Sequence, residues 1–251
     1  MTKIYFFALA LIASSCTVTN YYQVYKTKSE NGTFNNDKIV FEDNNCSVSY
    51  NLWKEGGNVG FSIYNKTDND LTIHLNKTFF VLNGFAFEYF QNRTFTNSST
   101  LGASVGLYSS ASSLKNNIAK IEGISSTSAS TGYMEKSYAT IPANTSINIS
   151  EFKITGDYHV DCDIPKRPAS NKIKTLNYSK DNTPFSFYNL ITYSTTKDTL
   201  RIENKFFVSE ITNYTTSQIL KSIDTSYCGK KLEFPIKKFK DVTPDKFYIK
   251  Y

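Results

Sequence analysis

The sequence predicts an all-β protein, an antiparallel two-sheet sandwich, on three observations. Apolar residues recur at every second position over most of the chain. Clusters of Asn, Asp, Gly, Ser and Thr punctuate these runs. About eight to ten such segments can be counted, which suits two sheets packed face to face.

The alternation begins at Lys38. Cys46, Val48, Tyr50 and Leu52 alternate with Ser47, Ser49 and Asn51, and Val59, Phe61 and Ile63 with Gly60, Ser62 and Tyr64. Leu71, Ile73 and Leu75 share a face that Phe79 and Val81 continue. Such segments read as half-buried strands, apolar inward and polar outward. Between them lie Glu55-Gly56-Gly57-Asn58 and the run 65–70, both rich in turn formers. Asn83-Gly84 suits the two positive φ angles of a type I′ turn, so Thr78–Leu82 and Phe85–Phe90 should form a hairpin.

From about 94 to 137 the composition shifts to Ser, Ala, Gly and Thr. This insert has little large apolar surface to bury. It reads as a long loop, with a short helix near Ser113–Glu122. A membrane or self-association contact through Leu101, Val105 and Leu107 is the alternative. Strand patterns resume at Ser137–Ile141 and Ser146–Ile154, where a bulge at Ser150-Glu151 would bring Phe152 and Ile154 into phase with Ile147 and Ile149. Phe185–Thr195 and Leu200–Ile211 are the last long strands, joined by a turn at Thr196-Lys197-Asp198. Ser217–Ile223 reads as one or two helical turns, and Val242–Tyr251 as an edge strand.

The stretch NVGFSIYNKTDNDLTIHLNKTFFVLNG is similar to an immunoglobulin-like opening, in which an alternating strand meets an Asn-rich turn and then a second strand. More broadly the chain resembles lipoproteins of Bacteroides-type bacteria. Cys16, the segment 65–83, EYFQNRTFT at 88–96, the Ser/Gly-rich insert and IPANTSINISEF carry that resemblance. It implies an address and an immunoglobulin-like fold, not an activity.

The N-terminus carries the address. Lys3 precedes an apolar run from Ile4 to Ala13 that closes on Ser14-Ser15-Cys16. Ten helical residues span about 15 Å, short of the ~20 residues that cross a bilayer. A positive start, a short apolar middle and small residues at the end make an export signal. Small residues with Cys16 directly after them resemble the lipobox of bacterial lipoproteins, although Ala13 stands where that motif usually has Leu. The resemblance implies removal of residues 1–15 and lipidation of Cys16. The polar, tyrosine-bearing run over 16–36 reads as a tether into a domain over 37–251, with Tyr21, Tyr22 and Tyr25 at the lipid interface or forming a first loose strand. Two or three acyl chains give lasting attachment where one is marginal. Thr17 in place of Asp favours the outer membrane, again by resemblance.

Composition narrows the partners. The formal charge of +6 is spread among acids throughout 251 residues, not clustered as on a nucleic-acid-binding face. No nucleic-acid partner is expected. The expected partners are the membrane, through the lipid anchor, and an envelope protein or glycan. With Cys16 acylated, Cys46, Cys162 and Cys228 remain, and three thiols cannot all pair. Either one bridge forms, with Cys162 and Cys228 as the candidate pair, or none; the spacing does not choose.

One cluster carries metal-binding chemistry. Asp157, His159, Asp161 and Asp163 fall two apart in DYHVDCDIP, so an extended strand would project all four from one face and turn Cys162 toward the core. Imidazole with carboxylates suits a divalent cation. Neighbours on one strand lie ~7 Å apart, so a shared ion needs the chain to turn; otherwise the cluster is a solvated acidic edge. His74, the only other histidine, faces solvent by parity. No Walker or dinucleotide glycine motif occurs, and no cofactor is expected. The basic tail, with Lys230, Lys231, Lys237, Lys238 and Lys240, offers contacts to anionic headgroups or sugars; the plainer reading is lysines guarding a sheet edge. The pattern therefore favours a non-enzymatic envelope protein that binds through loops and the insert. An envelope-glycan hydrolase with paired acids and a self-associating structural subunit are the alternatives.

Overall fold

A computed structural model describes residues 19–35, 37–100, 128–168, 172–228, 230–231 and 234–251. Strands come first: β1 (Tyr21–Ser29), β2 (Thr33–Asn35), β3 (Lys38–Glu42), β4 (Cys46–Tyr50) and β5 (Phe61–Asn65). β6 (Leu71–His74) leads into the hairpin of β7 (Phe79–Leu82) and β8 (Phe85–Glu88). β9 (Thr94–Thr100) and β10 (Ser128–Met134) pair with each other. Then follow β11 (Tyr138–Ile141), β12 (Ser146–Ile149), β13 (Thr175–Asn177), β14 (Ser186–Ser194) and the long β15 (Thr199–Thr215). One helical turn, α1 (Thr216–Ile219), precedes β16 (Leu220–Ile223), β17 (Ser226–Tyr227), β18 (Lys230–Lys231) and β19 (Ile236–Phe239). β20 (Lys246–Lys250) is the last strand.

The protein is an all-β sandwich. One sheet runs β11-β6-β14-β15-β1-β20, with β13 against β15 and the β7–β8 hairpin against β14. The other runs β12-β5-β4-β3-β2. The alternation predicted from the sequence fills the space between them. Ile39, Phe41, Val48, Tyr50, Phe61 and Ile63 enter from the second sheet, and Ile73, Phe187, Ile191, Phe206 and Val208 from the first. Phe206 joins both, with ring centroids 5.4 Å from Phe41 and 5.2 Å from Tyr50. Each such side chain contributes about 1.5–3 kcal/mol by leaving water.

A polar seam crosses the same interior. The Asn189 amide donates to the Val59 carbonyl at 2.8 Å and to the Tyr50 hydroxyl at 3.3 Å. Tyr50 donates to Asn204 Oδ1 at 2.8 Å, and Tyr89 to Asn189 Oδ1 at 2.9 Å. The sheets are thus bonded as well as packed. Burial raises the Tyr50 and Tyr89 hydroxyls well above the ordinary tyrosine range, although Asn189 pulls each back.

The Asn83-Gly84 turn has φ angles of 47° and 86°, as the type I′ reading requires. Gly56 and Gly57 also have positive φ, and a Cβ on Gly57 would lie 2.6 Å from the Ile154 side chain.

Three readings change. The tether over 16–36 is not a tether from Tyr21 onward: β1 lies inside the first sheet, between β15 and β20. Tyr22, Gln23, Tyr25 and Thr27 are buried there. Gln23 and Thr27 mask the alternation because their polar groups are satisfied inside, Thr27 Oγ1 by the Asp245 carbonyl at 2.8 Å. The bulge read at Ser150-Glu151 is a looser slip of register, three residues against two between the Ile149–Phe61 and Lys153–Asn58 pairs. β12 ends at Ile149, and Ile154 is buried from a separate segment whose amide donates to the Gly56 carbonyl at 2.9 Å. The helix read over Ser217–Ile223 is one turn, and Leu220–Ile223 is strand. Residues 1–15, Cys16, Leu101, Val105, Leu107 and the helix near Ser113–Glu122 lie outside the described residues.

Candidate functional site

The acidic cluster is not a strand face. Asp161 and Ile164 bridge a tight turn in which the Ile164 amide donates to the Asp161 carbonyl at 3.3 Å. The Asp161 carboxylate accepts the Asp163 amide at 2.7 Å. The turn breaks the two-residue period, so the four side chains do not share a face. Asp157 and Asp163 are exposed, and Lys174 stands 3.8 Å from Asp163. His159 keeps one acidic neighbour, with Nε2 3.9 Å from Asp161 Oδ2, while its ring lies edge-on to Tyr178 and Phe185. Among the described residues, no three His, Cys, Asp or Glu side chains gather as a metal site. The metal reading of Asp157, His159, Asp161 and Asp163 therefore gives way to a structural one. The His159 backbone is clasped by buried Gln23, whose amide donates to the His159 carbonyl at 3.0 Å and whose Oε1 accepts its N–H at 2.5 Å.

Cys162 sits exposed in that turn rather than pointing into the core. Cys228 is exposed in another turn, with φ 51°. Both are free thiols, so the candidate Cys162–Cys228 bridge is not formed. Cys46 is buried, and desolvation together with the Asp43 carboxylate pushes its thiol well above the usual range. His74 is half-buried, with Nε2 2.7 Å from the Ser194 hydroxyl.

Three features remain as functional candidates. The first is the root of the insert. Arg93 binds Glu135 at 2.7 Å and Glu151 at 2.6 Å, fastening the base of the β9–β10 hairpin to the segment after β12. Arg93 holds the Glu135 carboxyl below its ordinary range. A glycosidase acid needs the opposite shift, so this carboxylate pair serves as a clamp. Around it Phe85, Phe87, Phe95 and Met134 are exposed.

The second is a shallow cleft on the outer face of the second sheet. Ser49, Ser62 and Asn148 line up there across β4, β5 and β12. The alternation in the sequence places these side chains outward, but which strand lies beside which is a property of the register alone. The third is the hairpin of β16 and β19, which seats Phe239 against Trp53 and Tyr248, with centroids 5.0 and 4.6 Å away. Trp53 is thereby half covered and is no open platform for a sugar ring.

No family model, no curated protein and no solved structure matches the chain.

Proposed function

We propose that the protein is a lipid-anchored component of a bacterial cell envelope, of the Bacteroides-type lipoprotein kind, held at the outer membrane through Cys16. It binds an envelope partner, a protein or a glycan, without catalysis, at the end that carries the insert.

One observation supports this reading most: the chain start and the insert root lie far apart along β15. Tyr21 pairs with Thr215. The insert hairpin joins the sheet at Ser137, whose carbonyl accepts the Leu75 amide at 2.8 Å. Leu75 lies between Ile73, which pairs with Tyr193 and through it Leu200, and Phe79, which pairs with Leu190 and through it Glu203. Glu203 and Thr215 are separated by about 40 Å of strand. An anchor at Cys16 would therefore present the insert away from the membrane, on a scaffold stiffened by two ladders.

Metabolic labelling with a fatty-acid probe tests the anchor. The wild type should label in the membrane fraction, and Cys16→Ala should lose label and attachment. An unmodified N-terminus or an unlabelled wild type sinks the anchor. Replacing 101–127 by Asn-Gly tests the presenting end, because Thr100 and Ser128 already face each other across the ladder. That variant should fold and stay anchored but lose cross-linking to its envelope partner; unchanged cross-linking rejects the insert as the binding element.

A further inference from the structure

We infer that the solvent face of the β16–β19 hairpin docks on the anionic headgroup surface of a phospholipid bilayer, the one that holds Cys16. The position of this contact rests on the anchor reading above; the affinity of the hairpin for anionic lipid does not.

The register divides the hairpin into two faces. Leu220 pairs with Phe239, Lys221 with Lys238, Ser222 with Lys237 and Ile223 with Ile236. Residues directly opposite share a face, and faces alternate along each strand. The face of Leu220 and Phe239 turns to the body, where Phe239 meets Tyr22, Trp53 and Tyr248. The other face carries Lys221, Ile223, Ile236 and Lys238. Both lysines are exposed, Ile236 is 37% exposed, and nearby Phe234 is 78% exposed.

This face is costly for folding alone. Like charges directly opposite in a ladder repel. Neither Lys221 nor Lys238 makes an ion pair among the described residues. From 220 to 240 the sequence holds six lysines against Asp224 and Glu233. Ammonium groups beside exposed Ile and Phe match a bilayer surface, where phosphates neutralise the charge and the acyl boundary takes the apolar groups.

Position selects the bilayer among anionic partners. Thr19 borders the same cleft as Leu220 and Lys221, and Thr216 Oγ1 donates to the Asn20 carbonyl at 2.9 Å. Three residues of chain reach at most about 11 Å, which bounds the distance of Cys16 from Thr19 at the rim of that cleft. That is comparable with the ~8 Å screening length in physiological salt. A weak contact held beside an anchor acts at high effective concentration.

Residues 17–251 contain every described strand of both sheets, so this chain, without Cys16, isolates the hairpin from the anchor. It should co-sediment with vesicles of phosphatidylcholine containing phosphatidylglycerol, and not with phosphatidylcholine alone. Binding should fall as salt rises. K221Q/K238Q should bind about 30-fold more weakly, from about 1 kcal/mol per lysine. K221R/K238R should retain binding, and K77Q/K197Q, which removes two exposed lysines elsewhere, should bind as wild type. Equal binding to both vesicles, full binding by K221Q/K238Q, or equal loss in K77Q/K197Q overturns the inference. A negative fatty-acid label with positive vesicle binding would reject the anchor and leave the lipid-binding face standing.

Discussion

Replacing Asn189 by alanine tests whether the polar seam holds the two sheets together. The side chain is 2% exposed and makes three bonds, to the Val59 carbonyl, the Tyr50 hydroxyl and the Tyr89 hydroxyl. A typical buried bond contributes about 1 kcal/mol net, and a stranded buried group costs about 1–3 kcal/mol more. Tyr50 keeps Asn204, and Tyr89 can swing toward the Val59 carbonyl, already 3.5 Å away. The expected loss is therefore about 3–4 kcal/mol, set against a total of roughly 5–15 kcal/mol for a folded domain. Urea unfolding of residues 17–251, followed by Trp53 emission and circular dichroism, measures it. The midpoint should fall with the slope unchanged. Tyr89→Phe should cost about 1 kcal/mol. The double variant should cost less than the sum, because both changes remove one shared bond. Asn148→Ala, on the outer face, should stay within about 0.5 kcal/mol. A loss below about 1 kcal/mol for Asn189→Ala, or strict additivity with Tyr89→Phe, would show that hydrophobic packing alone joins the sheets.

Alkali should unfold the protein cooperatively. Desolvation raises the folded-state values of Tyr25, Tyr50, Tyr89 and Tyr193 above the ordinary 10.0. Their stabilising effect is therefore complete below pH 10 and is lost as pH rises past it toward the folded values. Once the unfolded chain is deprotonated, each costs about 1.4 kcal/mol per pH unit. Phenolate absorbance of the exposed tyrosines should rise gradually, and that of these four in a steep later step coincident with the loss of circular dichroism; ionisation of all tyrosines before that loss would refute the burial. Residues 17–251 should show two thiols, Cys162 and Cys228, reacting promptly with a disulfide reagent, and Cys46 only on unfolding. Two unreactive thiols that a reductant exposes would mean a bridge absent from this structure.

Much of the fold was legible because antiparallel strands with one wet face carry their burial in a two-residue period. Val48, Tyr50, Phe61, Ile63 and Ile73 all enter the core as their alternation requires. The Asn83-Gly84 turn was legible for a stereochemical reason, since few pairs accept two positive φ angles. β1 was not legible. Its inward positions include Gln23 and Thr27, and a buried amide reads as polar until its partners at 159 and 245 are known. The cluster at 157–163 failed for the converse reason. Its spacing is strand-like, but Asp161 folds back on the Asp163 amide and makes a turn that no period announces. The insert root was legible as a change of composition. Its clamp was not, because Glu135 and Glu151 come to Arg93 across 42 and 58 residues.

The placement of β1 changes what an anchor at Cys16 would mean mechanically. A tether would leave the membrane and the sandwich loosely coupled. β1 instead starts five residues after Cys16 and is bonded along both edges, to β15 from Tyr21 to Ser29 and to β20 from Tyr22 to Lys26. A pull at Cys16 would run along β1 and load both ladders in shear, so many bonds must break together. An edge strand pulled the same way would load only one. The same pairing joins Tyr22 to Lys250, nearly the full span of the described chain. Closing so long a loop is entropically slow, so β1 cannot be fully paired until the C-terminal strand exists. The segment nearest Cys16 is thus the one whose seating depends on completion of the whole sheet, so attachment there would be coupled to a finished scaffold.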